Sequence, residues 1–171
     1  LFRHKQEGDE LYWVIVTGIN EEAGWSNEAV KKRNAEIDSV AEKYGFVDVF
    51  NLRLPTTKID TLPLFDLIEK ITNVYKNVEP QMIYMPFAYD VHTDHQLIAK
   101  ALHSTFKWFR HPYIKKVLMY ETLSETEFNF MENKTFRPNV FVDISNYLED
   151  KIEAMKIYES EIGEFPFPRS E

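Results

Sequence analysis

The segment Asp90-Val-His92-Thr-Asp94-His95 places two imidazoles and two carboxylates within six consecutive residues, and no other stretch of the chain concentrates histidine in this way. Imidazoles and carboxylates hold zinc, move protons and stabilise developing charge, so a metal or acid–base site is one reading of this cluster. His92 and His95 stand three residues apart; in the first turn of a helix they share a face and can address one point. A helix start also carries unpaired backbone N–H groups that favour a nearby oxyanion. The same residues suit a plainer role, in which Thr93 or Asp94 caps a helix and the imidazoles are solvated. A catalytic zinc takes three protein ligands and a water, so two neighbouring imidazoles do not complete a centre by themselves.

The elements around the cluster must put it at a strand-to-helix junction. Gln81 to Met85 is an apolar run stopped by Pro86, and Leu97, Ile98, Ala101 and Leu102 give a buried stripe to a helix beginning near Thr93. Leu1 to Gln6 reads as the tail of a helix ending at Gly8, and Leu11 to Thr17 as a buried strand. Ser26 or Asn27 caps a helix from Ala29 to Tyr44, with Val30, Ile37, Val40 and Ala41 at helical spacing. Phe46 to Phe50 is a strand, and a second amphipathic helix carries Leu64, Leu67, Ile68, Ile71 and Tyr75 before Pro80. Lys116 to Tyr120 and Val140 to Ile144 are predicted strands, Ser124 to Arg137 a long loop, and Asn146 to about Ile162 the last helix. Alternation of strands and helices predicts an α/β fold, a Rossmann-like, mostly parallel sheet with helices on both faces, binding ligands beyond the carboxyl ends of its strands. Functional residues are therefore expected just after Thr17, Met85 and Tyr120.

Composition narrows the function classes. With 171 residues and 44% hydrophobic content, one core and one domain spanning 1–171 are expected. A net charge of −8 opposes binding to nucleic acid or anionic membranes, and no basic patch offsets it. There are no cysteines, so disulfides and thiolate metal sites are excluded. The longest strongly apolar stretch, Leu11 to Val16, is far short of a membrane span, which makes a soluble and by default cytoplasmic protein the expectation. A homo-oligomer is compatible with all of this.

His92-Thr-Asp94-His95, with the apolar stripe that follows it, resembles the second motif of the LmbE-like or PIG-L family of zinc de-N-acetylases. Other segments are similar to the family in the same order: Lys5 to Thr17 to its first helix end and second strand, and Arg33 with Glu36 to its Arg-x-x-Glu helix. Val117-Leu-Met-Tyr-Glu121-Thr122 matches its Tyr-Glu-Thr strand end, and Pro138 to Ser145 with Lys151, Ala154 and Tyr158 its closing strand and helix. The family's Ala-His-Pro-Asp-Asp-Glu motif, which supplies one His and one Asp to the metal and a second Asp as general base, does not occur in this sequence. The resemblance implies that it belongs immediately before Leu1, that the first strand is missing with it, and that the family's last residues lie beyond Glu171.

The resemblance implies zinc (Zn2+) as cofactor and an N-acetylated sugar or glycoconjugate as substrate. His95 would be the metal ligand. His92 would stand beside the substrate carbonyl, stabilising the oxyanion and helping protonate the leaving amine, with Asp94 orienting it and keeping it cationic. Arg33, a charge on the apolar stripe between Val30 and Ile37, would face the sugar, although snorkelling or pairing with Glu36 also accounts for it. Asp90 would contact substrate or support a ligand from behind, and a solvated loop carboxylate fits it equally well. Glu121 is expected to hold a loop. Two rivals stay open: a metal-dependent phosphoesterase using Asp90, Asp94 and His95, and a non-catalytic sugar-binding domain on the same fold.

Overall fold

The computed structural model describes residues 1–170, which form two compact units: Leu1–Arg53 with the chain from Pro138 onward, and Leu54–Arg137. The first unit contains helix α1 (Phe2–Glu7), strand β1 (Tyr12–Gly18), helix α2 (Asn27–Tyr44), most of strand β2 (Asp48–Pro55) and helix α5 (Leu148–Lys156). The second contains helix α3 (Leu64–Val78), strand β3 (Met82–Pro86), helix α4 (Thr93–His103) and strand β4 (Lys116–Tyr120).

Local chemistry sets these boundaries where it was read. Gly8 and Gly45 end α1 and α2 at φ 84° and 71°, a left-handed conformation that costs glycine little. The Ser26 hydroxyl accepts the Ala29 N–H and starts α2. In the first unit Leu11, Val40 and Ala154 are buried and α2 packs against α5. The second unit has the larger core: Leu67, Ile71, Val74 and Tyr75 of α3, Ile83 and Met85 of β3, and Ala99, Ala101 and Leu102 of α4. Alanines at 99 and 101 let α4 approach α3 and β3 closely.

The strands pair as two two-stranded sheets, β1 with β2 and β3 with β4. Strands β3 and β4 are parallel and in step from Met82 opposite Lys116 to Pro86 opposite Tyr120, so their carboxyl ends lie side by side. Two expectations fail. Val140 to Ile144 is irregular and exposed, with Phe141 at 81% exposure. Its apolar, β-branched composition suits a strand, but a strand also needs a partner for its backbone groups, and no described strand pairs with it. The expected long last helix is a 3-10 turn (Ser145–Tyr147), the nine-residue α5, and a second 3-10 turn (Glu159–Glu161). Among the described residues no helix is long and apolar enough to cross a membrane.

His111 packs edge-on against Tyr75, and its Nδ1 lies 2.7 Å from the Tyr113 hydroxyl. Burial first, then Arg110 and Lys76, hold its imidazole below the usual histidine range. The unfolded chain then binds the proton more readily, so this contribution to stability is complete above the ordinary histidine pKa and is lost as pH falls from there through the lowered folded-state value. The drop in Tm from about pH 7.5 to about pH 5.5 should be smaller in His111→Phe than in the native chain. An equal drop in both would remove His111 as a source of acid sensitivity.

Candidate active site

After β3, a turn closed by Asp90 N–H on the Phe87 carbonyl carries the chain to α4. Asp90 is fully buried at 0% exposure, and each of its oxygens is occupied. Oδ2 lies 2.8 Å from His95 Nδ1, and Oδ1 accepts a 2.7 Å hydrogen bond from the Thr126 hydroxyl. The Asp90 carbonyl accepts from Gln96 Nε2 at 2.7 Å. With Nδ1–H donated to Asp90, the neutral His95 ring keeps its free lone pair on Nε2. A substrate contact by Asp90, one of the roles expected of it, does not fit an enclosed carboxylate whose two oxygens are already used; supporting His95 from behind does.

His92 is the N-cap of α4, and its Nδ1 accepts the Asp94 N–H at 3.1 Å. The imidazole thus satisfies a backbone donor at the helix start, the duty that Thr93 or Asp94 was expected to perform. Nδ1 is then an acceptor, and the neutral ring carries its proton on Nε2. The rings of His92 and His95 stack with centroids 4.8 Å apart and planes 18° apart. Asp94, 2% exposed, does not hold His92 through its carboxylate. Its Oδ2 accepts the Thr57 N–H at 2.9 Å, while its buried Oδ1 has no hydrogen-bond partner. The expectation that Asp94 keeps His92 cationic is replaced by a backbone contact. The physical reason is helix geometry: residue 94 presents its N–H, not its side chain, to the cap.

Arg33 lies in the first unit. Its Nη2 donates to Ser160 Oγ at 2.8 Å and to Glu161 Oε1 at 2.6 Å. Its Nε is 3.3 Å from Glu36 Oε2, too poorly aligned for a hydrogen bond, and both oxygens of Glu36, 7% exposed, lack hydrogen-bond partners. The guanidinium also stands 5.5 Å from the ring centroid of Tyr158, whose phenol burial pushes well above its usual range while Arg33 opposes the shift. Glu161 Oε2 bonds Arg169 Nη1 at 2.9 Å. Arg33 is thus paired, as the plainer reading of that residue had it, with Glu161 as the stronger partner and Glu36 as the weaker.

A zinc site can be tested on its donors. His95 offers Nε2, and the buried carboxylate behind its other nitrogen is the support that zinc-binding imidazoles usually have. The pair fits one corner of such a centre. Among the described residues, His4, Glu7 and Asp9 form a group of three potential ligands with donor atoms within 4.8 Å of one another. Glu7 there pairs with Arg3 and His4 Nδ1 with Asp9, both on the surface. Sequence reading had not singled out this trio, nor Thr57, Thr126, Ser160 and Glu161. Asp90 also lines an open concavity of about 770 Å³ with Tyr89, Gln96, Lys100, His103 and Phe128, but His92 and His95 are not part of its wall.

Residues 1–106 match the model of the PIG-L family, described as GlcNAc-PI de-N-acetylase. The chain belongs to the PIG-L family. The matched span of this PIG-L chain contains Arg33, Asp90, His92, Asp94 and His95. Three solved structures are similar to it, each at 20% identity, and at that level they speak to the fold alone. A conserved protein from Thermus thermophilus aligns over 94% of this chain and 70% of its own, with a TM-score of 0.71. The N,N'-diacetylchitobiose deacetylase from Pyrococcus horikoshii aligns over 93% and 62%, with 0.69. GalB, a 4-carboxy-2-hydroxymuconate hydratase from Pseudomonas putida, aligns over 92% and 70%, with 0.58. The PIG-L chain thus spans less than two thirds of the deacetylase it resembles. It has the mixed α/β, LmbE-like fold, a fold that also hosts a hydratase.

Proposed function

We propose that this chain belongs to a zinc-dependent de-N-acetylase that hydrolyses the acetamide of an N-acetylated sugar. The observation that carries the reading is the Asp90–His95 pair at the end of β3, which leaves Nε2 as a metal donor, in a PIG-L chain. The family's description supports the substrate class. Zinc, when bound, supplies Lewis-acid polarisation of the carbonyl and an activated water. Every other contribution comes from the chain's own residues. His95 donates Nε2 to the metal, and Asp90 fixes the ring. His92 Nε2–H donates a hydrogen bond to the carbonyl oxygen as negative charge develops there. Asp94 holds the geometry of His92 through its backbone N–H and anchors the Thr57 loop. Arg33 recognises the sugar, with substrate hydroxyls or a carboxylate competing with Glu161 for the guanidinium.

The test is full-length, zinc-loaded protein turning over an N-acetylglucosamine conjugate, with free amine and acetate released in equal amounts. Absence of acetate release from a folded, zinc-replete protein across such conjugates would sink the proposal. In the same assay Arg33→Lys, which keeps the charge and loses the fork, should raise KM about tenfold with little change in Tm. A large fall in Tm with normal kinetics would make Arg33 an anchor for residues 158–169 instead.

A further inference from the structure

The turn after β4 contributes a residue that no motif announces. Thr126 is 5% exposed, and its hydroxyl oxygen accepts the Thr122 N–H at 2.8 Å. A hydroxyl has one proton, and with its oxygen receiving that N–H the proton is directed at Asp90 Oδ1, 2.7 Å away. The result is a one-way relay from Thr122 N–H through Thr126 to Asp90, and from the other oxygen of Asp90 to His95 Nδ1. The turn itself is over-determined. Thr126 N–H donates to the Thr122 carbonyl, Ser124 N–H to Glu127, and the Glu125 carbonyl accepts the Val91 N–H from the Asp90 loop. Ser124 is held at φ 72°, a strained conformation for a residue with a β-carbon, which persists only where neighbouring bonds enforce it. The in-step pairing of β3 and β4 brings the two loops together.

We propose that Thr126 is a positioning residue for the metal-binding imidazole: by filling the second oxygen of Asp90 it fixes the carboxylate plane, and through it the ring orientation and tautomer of His95. A carboxylate with one free oxygen could rotate or exchange oxygens, and His95 would lose its fixed direction. The inference rests on the reading of His95 as a zinc donor, and its test separates the two.

In metal-free protein at about pH 8, imidazole nitrogen shifts should show His95 protonated at Nδ1 and bare at Nε2, with a slowly exchanging Nδ1 proton. The opposite tautomer in the native chain overturns the proposal without any variant. Thr126→Val should lose the slow exchange and bind zinc roughly 10–100-fold more weakly in chelator competition, while Thr126→Ser restores both. Unchanged zinc affinity and unchanged exchange in folded Thr126→Val would refute the positioning role. If the exchange signature follows Thr126 but His95→Ala leaves zinc affinity intact, the relay stands as structure and the metal assignment fails, and with it the proposal as stated.

Discussion

Full-length protein carrying His95→Ala should lose stoichiometric zinc, and turnover should fall in proportion to the metal lost. Replacing an outer partner of a metal-binding imidazole typically weakens affinity roughly 10–100-fold, and removing the donor itself should exceed that range. The substitution also leaves Asp90 Oδ2 without its partner in a fully buried position, which costs about 1–3 kcal/mol. A lower Tm is therefore expected alongside the zinc loss, and zinc must be quantified on the folded fraction. Asp90→Asn separates the two effects. It keeps the size of the side chain and the His95 ring, so zinc affinity should weaken without vanishing. Native zinc content in folded His95→Ala would end the assignment and return the segment to its plainer role as a helix cap.

Much of the local structure was legible because its causes are local. Gly8, Gly45 and Ser26 act within a few residues of where they stand, and the Asp90–His95 segment concentrates its chemistry in a single turn. What the sequence did not reveal lies at long separation. Thr126 is 36 residues from Asp90, Thr57 is 37 from Asp94, and Glu161 is 128 from Arg33. Each is an ordinary polar residue whose role depends on which loop it meets. The failure at Val140–Ile144 has the same origin, since strand propensity is local and strand pairing is not. The reversal at Asp94 is different in kind. The expected contact was between its carboxylate and His92, two positions back, but the group that meets His92 is the backbone N–H.

That reversal sharpens the expected behaviour of His92. With Nδ1 accepting the Asp94 N–H, the neutral ring carries its proton on Nε2, and a fixed donor at the site of developing negative charge is worth about 2.7–4 kcal/mol in kcat. His92→Ala should therefore cut kcat by on the order of a hundredfold or more while zinc remains bound, because His95 and its support by Asp90 and Thr126 are untouched. KM should change little if the donor acts chiefly on the transition state. The loss of an N-cap complicates the variant, with a cost of about 0.5–2 kcal/mol to α4. His92→Asn controls for this: asparagine caps helices well but does not place an imidazole Nε2–H at the carbonyl oxygen, so it should restore Tm without restoring turnover. Asp94→Asn keeps the backbone N–H and so should leave the orientation of His92 in place, altering kcat far less than His92→Ala does. A kcat in Asp94→Asn as low as in His92→Ala, with zinc and Tm preserved, would return the carboxylate of Asp94 to the working role first expected of it. If His92→Ala keeps near-normal turnover, or loses activity only as zinc is lost, the imidazole is a helix cap and nothing more.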